Sequence, residues 1–349
     1  MLDRLKRLFA GAKPPAQIAQ PAPPGRPPLA TMDDLDALID RCGLTAARDL
    51  ILAHTTPCFH MIAGGPAADA PLGTTRLGGA PDLPVGSVWP AGKSGYYGFL
   101  GQLDLADVAA RTGAADLPNR GLLSLFVDSI DSAAEPVPVR AILTPSGTAL
   151  ARLTAPPGRD EYGACANHLN PVQISAFVPG INVPPFDLRL YGQIEALAPE
   201  ADIDAFEDAL WPTPPGTIGQ LLGQGFDHDG TDLRLAIHAR QIGRPGLERY
   251  DFIADWTEWE ELKQIEQRLQ NGTLYRPWTD ANDDDVRYVL DHRPALAAGA
   301  ANLRLLILIR SNKAMNLWIN DADPIFLFIP SARLKRGDFS ELHGAVTQG

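Results

Sequence analysis

"RLGGAPDLPVGSVWP", residues 76–90, packs three glycines, three prolines and a tryptophan into fifteen positions. Glycine opens positive φ to the backbone and proline removes most of the alternatives, so the stretch reads as a stiff turn beside one large aromatic. Short apolar runs surround it: "CFHMIA" (58–63), "GYYGFLGQL" (95–103), "GLLSLFV" (121–127) and "PVRAILT" (138–144). Runs this short, punctuated by glycine and proline and joined by hairpin-length links, predict strands in a mostly antiparallel sheet.

Helices are expected at both ends of this β-rich middle. Thr31 precedes "MDDLDALIDRCG", with acids in its first turn and Gly43 behind it, and Thr45 opens "AARDLILAH" (46–54). Asp255 caps "WTEWEELKQIEQRLQ" (256–270), whose Trp256, Trp259, Leu262, Ile265 and Leu269 make one apolar stripe. The chain then returns to strands at "LRLLILIR" (303–310), "MNLWIN" (315–320) and "PIFLFIP" (324–330). The fold class is therefore α+β, with mostly antiparallel sheets and flanking helices. "FLGQLDLADV" (99–108) gives a strand and a short helix before the strand "GLLSLFVD" (121–128), and "LRLLILIR", "MNLWIN" and "PIFLFIPSARL" (324–334) are again apolar strands with a short polar coda, which suggests a diverged internal duplication over residues 45–180 and 185–342.

With 349 residues, 45% of them hydrophobic and 21% charged, the chain can bury a large core. No run of about 18 apolar residues exists, so no transmembrane segment is expected. Cys42, Cys58 and Cys165 are scattered and odd in number, which argues against a disulfide framework and for a reducing, cytoplasmic location. Residues 1–30 form an amphipathic basic start, Leu2, Leu5, Leu8 and Phe9 among Arg4, Lys6 and Arg7, followed by a proline-rich linker. That start reads as a solubilising tail, with weak peripheral contact to an anionic membrane as the sharper alternative. The tail holds a net charge of +4, so of the chain's −12 the remaining residues 31–349, read as one domain, carry −16. Such a body repels a phosphate backbone, which excludes nucleic acid as the expected ligand, and it suits a basic protein or peptide partner.

The quoted loop followed by "GFLGQLDLADV" (98–108) and "LPNRGLLSLFVD" (117–128) resembles the signature of the YwqG-like family, a bacterial domain of unknown function. "IHARQIGRPGLERYD" (237–251) and "MNLWINDADPIFLFIPSARLKRGDFSEL" (315–342) are similar to later stretches of that family, so the resemblance runs over residues 45–342. It implies no established reaction. Three places depart from the family pattern: "LIRSNK" (308–313) stands where a second glutamine-leucine-aspartate is usual, "WINDADP" (318–324) where a glycine usually follows the tryptophan-containing turn, and Arg244 where an aromatic is common.

Two readings of the loop stay open. Gly78 and Gly79, stiffened by the prolines, either tie a structural loop over a sheet edge or preorganise a groove lined by Arg76, Trp89, Gln102 and Asp104. The first function hypothesis is accordingly a protein-binding module that neutralises or regulates a basic partner. The rival is a hydrolase on a carbohydrate or peptide-like substrate, with Asp104 and a second carboxylate as acid and base. His54, Cys58 and His60 have metal-ligand chemistry but match no zinc spacing, so no metal is expected. "DHDGTD" (227–232) lacks the register of a calcium loop, and "DANDDD" (280–285) reads as a solvated acidic turn. No nucleophile elbow and no phosphate-cradling loop occurs, so no cofactor is expected.

Overall fold

A computed structural model describes residues 29–92, 95–128, 137–156, 169–183, 188–210, 212–225, 233–244, 283–319 and 322–346. Helix α1 (Met32–Arg41) starts on a reciprocal cap: the Thr31 hydroxyl accepts the Asp34 N–H while the Asp34 carboxylate takes the Thr31 N–H. A 3-10 turn at Thr45–Ala47 leads into α2 (Arg48–Ala53). Strands β1 (Thr56–Pro66), β2 (Arg76–Leu77), β3 (Asp82–Pro84), β4 (Ala91–Gly92), β5 (Gly95–Tyr96) and β6 (Gly98–Asp104) follow. Helix α3 (Leu105–Thr112) precedes β7 (Leu122–Val127), β8 (Val139–Thr144), β9 (Leu150–Arg152) and β10 (Val172–Asn182). The second half holds α4 (Leu188–Leu197), α5 (Ile203–Leu210), β11 (Thr217–Leu221), α6 (Leu233–Gln241) and α7 (Asp283–Ala301). It closes with β12 (Leu303–Arg310), β13 (Pro324–Pro330), α8 (Ser331–Arg336) and β14 (His343–Val346).

Ten strands form one sheet in the order β14-β13-β12-β11-β1-β10-β2-β6-β7-β8, and the pairings between neighbours are antiparallel. The sheet curls until its two edges nearly meet: just before β8, the Val137 N–H donates to the Gly344 carbonyl of β14 at 3.0 Å. This nearly barrel-shaped closure shields both open edges. The α+β class read from the sequence stands.

The concave side holds the main core, where Met61, Leu77, Leu103, Leu125, Ile307, Ile309 and Leu327 converge. Two short helices plug it. α3 contributes Leu105 and Val108, α8 contributes Leu334, and each ends in a left-handed glycine, Gly113 or Gly337. A second core gathers α1, α2, α4 and α5 around Leu38, Ile51, Ile194 and Phe206. The outer face is covered as well, by Leu83 and Trp89 over Phe99 and Phe126 at one end, and by Leu233 and Ile237 of α6 over Leu308, Phe326 and Phe328 at the other. Strands covered on both faces read as continuous apolar runs, which is why "LLSLFV" lacks alternation.

"MNLWIN" does not extend as a strand. Asn312 accepts the Met315 N–H through its side chain and Asn316 takes φ 55°, so the chain turns and leaves one bridge, Asn312 to Leu317. Met315, Leu317 and Ile319 still bury in the main core, which accounts for their apolar spacing. The helix expected at 256–270, the "DHDGTD" turn and residues 1–28 lie outside the described residues, and Asp283–Asp285 of the acidic stretch open α7.

Candidate functional site

The register lines up a row of outward side chains across one half of the sheet: Gln173 of β10 faces Arg76 of β2, Arg76 faces Gln102 of β6, and Gln102 faces Ser124 of β7. Asp82, first residue of β3, enters this row from above and is fully buried. Arg76 holds it in a two-pronged grip, at 2.7 Å to Oδ2 and 3.0 Å to Oδ1, and also donates to the Ala80 carbonyl. Gln102 donates to Asp82 Oδ2 at 2.8 Å and to the Thr74 carbonyl at 2.9 Å, while its carbonyl oxygen takes the Asp82 N–H at 3.0 Å. Arg152 of β9 adds a bond of 2.8 Å from Nε to Oδ1, and the Gly73 N–H one of 2.9 Å to Oδ2. Burial by itself would raise the Asp82 pKa, but the bonds from Arg76, Arg152, Gln102 and Gly73 outweigh it and hold the carboxyl well below its usual range.

The glycines of the loop have the conformation their sequence context demands. Gly78 and Gly79 sit at φ 70° and 76°, and a Cβ on Gly78 would lie 2.3 Å from the Asn170 carbonyl oxygen. Gly86, at φ 86°, occupies the third position of a turn closed by the Ser87 N–H on the Pro84 carbonyl at 2.9 Å. Trp89 is buried: its ring meets Phe126 edge-on at 6.2 Å and its Nε1–H donates to the Tyr97 carbonyl at 2.7 Å. The indole thus rivets the β4–β5 hairpin to the sheet. What faces solvent is the turn at residues 85–88, with Val88 84% and Val85 67% exposed, and beside it Tyr96 of β5, 43% exposed.

Asp104 stands apart from these residues. Its carboxylate accepts the Ala106 N–H and starts α3, and it lines an open groove of about 280 Å³ with Asp107, Arg111, Thr75 and Gln173. Asp107 in that groove is paired with Arg111 at 3.1 Å. Of the six residues singled out in the sequence, Arg76 and Gln102 therefore meet on Asp82, Gly78 and Gly79 shape the turn above them, and Trp89 and Asp104 serve two other places. The centre of the cluster, Asp82, had a visible signal as the only acid in a fifteen-residue glycine-proline stretch. Arg152, seventy residues further on, had none.

A second outward row crosses the other half of the sheet: Val178 of β10 faces His60 of β1, His60 faces Gln220 of β11, and Gln220 faces Leu308 of β12. Gln220 lies in Gly-Gln-Leu (219–221), the same tripeptide that places Gln102 (101–103), and this recurrence was legible in the sequence. Gln220 Nε2 donates to Asn182 Oδ1 at 2.6 Å and to the Leu222 carbonyl at 2.8 Å. Cys58 and His60 share this face, whereas the His54 ring turns to the Leu50 carbonyl at 2.9 Å. Among the described residues no three His, Cys, Asp or Glu side chains gather as a metal site would require.

Residues 75–143 match the profile of a domain of unknown function, DUF1963. The match takes in the loop, β2 to β7 and nearly all of β8, and so includes Arg76, Asp82, Trp89 and Gln102 but neither β1 nor Arg152. A comparison with curated proteins finds no match. Among the described residues no helix is long and apolar enough to cross a membrane.

Proposed function

We propose that this chain is a cytoplasmic protein-binding module that contacts a basic partner through the exposed rim of the Trp89 loop. The observation that carries the reading is the division of labour within the loop: Trp89 and the Asp82 cluster anchor it from below, while Val85 and Val88 are held out in solvent on a proline-stiffened turn. An apolar pair fixed in one conformation loses little entropy on docking. The −16 carried by residues 31–349 supplies attraction for a basic protein. The rival, a carboxylate-based hydrolase, has Asp104 and Asp107 in one groove, but the first caps a helix and the second is ion-paired. The matching grammar of β6–α3–β7 and β13–α8–β14 supports a diverged duplication, and the loop and its flanks support kinship with the YwqG-like family.

The test is capture from a native lysate by the wild-type chain and by the Val85→Ser/Val88→Ser double variant, with mass spectrometry of what is retained. A basic protein held by the wild type, released by salt and lost by the double variant is the expected result. Each exposed serine should change stability by no more than about 0.5 kcal/mol, whereas Trp89→Ala should cost about 3–5 kcal/mol as a core truncation. Equal capture by the double variant would overturn the assignment of the rim.

A further inference from the structure

The second row contains polar groups that the described residues leave unanswered. Cys58 and His60 lie two residues apart on β1 and face outward, and Arg310, two residues beyond Leu308 on β12, shares that face. A Cβ placed on Gly180 of β10 would lie 2.4 Å from His60 Nε2 and 3.2 Å from Cys58 Sγ. The Nε2–Cδ2 edge of the imidazole is therefore pressed on β10. The opposite corner of the ring, which carries Nδ1, faces away from Gly180.

His60 is only 6% exposed, and its Nδ1 has no hydrogen-bond partner among the described residues. A buried orphan of this kind costs about 1–3 kcal/mol unless something answers it. The Arg310 side chain is open to solvent at the end of β12 and makes no ion pair or hydrogen bond with the described residues. Protein atoms nonetheless crowd it enough to push its pKa down, and its charge reaches both His60 and Cys58. Burial, then Arg310, lowers the His60 pKa to about 4, so the ring is a neutral donor at physiological pH. Burial pushes the Cys58 thiol up to about 12 against the pull of Arg310, so it is a neutral wall and not a nucleophile.

We propose that Arg310 and His60 together bind the carboxylate of a small monoanionic ligand. The guanidinium offers a planar fork to two carboxylate oxygens, and the Nδ1–H tautomer of His60 adds a third donor. One fixed positive charge balances one negative charge. A phosphate, at about −1.5 to −2, would be left under-compensated here, and a metal cation would be repelled by Arg310. The site lies on different strands from the Trp89 loop, so its test stands or falls independently of the binding-module reading.

Acetate is the probe, titrated into the full chain labelled with ¹⁵N-histidine, with the His60 ring signals identified by their loss in His60→Gln. A saturable shift of the His60 ring nitrogens is expected, absent with chloride at equal ionic strength. Arg310→Gln should weaken acetate at least roughly tenfold, Arg310→Lys should retain a weaker site, and Arg140→Gln on distant β8 should leave it unchanged. Three results would overturn the proposal: no saturable His60 shift, equal affinity in Arg310→Gln, or tighter binding of inorganic phosphate than of acetate. The wild-type titration decides the matter by itself should Arg310→Gln fail to fold.

Discussion

The two outward rows of the sheet are built alike and finished differently. Each runs through a Gly-Gln-Leu strand and each sets an arginine near a buried polar side chain. In the first, Arg76 and Gln102 close on Asp82, whose carboxylate is met from every side. In the second, among the described residues, no acid meets Arg310 and no partner meets His60 Nδ1. A saturated buried cluster rigidifies and specifies, whereas an unsaturated one is either a strain or a receptor. The difference assigns architecture to the first row and keeps chemistry for the second.

The largest effect should come from breaking the saturated row. Asp82→Ala leaves Arg76, 1% exposed, without its counter-charge and should cost about 3–5 kcal/mol in chemical unfolding. A loss below about 1 kcal/mol would mean that the row does not hold the loop, and the contrast would collapse. Because the folded Asp82 pKa is depressed, its contribution is complete well above the unfolded value of about 4 and fades progressively as pH falls from about 5 toward the folded one. Asp82 therefore gives no slope between about pH 5 and 7.

That window belongs to the second row. The folded His60 pKa of about 4 lies below the unfolded value near 6.5, so on acidification the unfolded chain takes up a proton that the folded chain refuses. Stability should fall progressively as pH drops from about 6.5 to about 4, by at most about 3 kcal/mol, and His60→Gln should remove that part of the slope. His343, whose pKa burial also lowers, contributes with the same sign, so the difference between wild type and variant is the quantity to measure. An identical acid slope in His60→Gln would remove the titratable contrast between the rows.

Smaller effects separate the remaining roles. Asp104→Ala should cost about 1 kcal/mol by loss of the α3 cap, measured by thermal unfolding. A loss several times larger would tie Asp104 to the Asp82 cluster after all. Smallest should be Arg310→Gln, neutral within about 0.5 kcal/mol because no described contact is broken. A destabilisation rivalling that of Asp82→Ala would show Arg310 to be a structural charge.

Local order was legible because it depends on neighbours in the chain. Thr31 with Asp34 announces a helix start, Gly78, Gly79 and Gly86 announce positive φ, and apolar runs of strand length announce β1, β6, β7, β12 and β13. The same local rules failed at "MNLWIN", where Asn312 and Asn316 turned an apolar run into a loop. For the candidate site the chain order was less help. Arg76, Trp89 and Gln102 drew notice as a group, but which faced inward depended on strands β3, β5, β7 and β9 arriving above or beside them. The glycines, the strands and the overall acidity are properties of the sequence by itself. The pairing of Asp82 with Arg152 and the shared face of His60 and Arg310 come only from the curled sheet, because register brings together residues that no spacing in the chain connects.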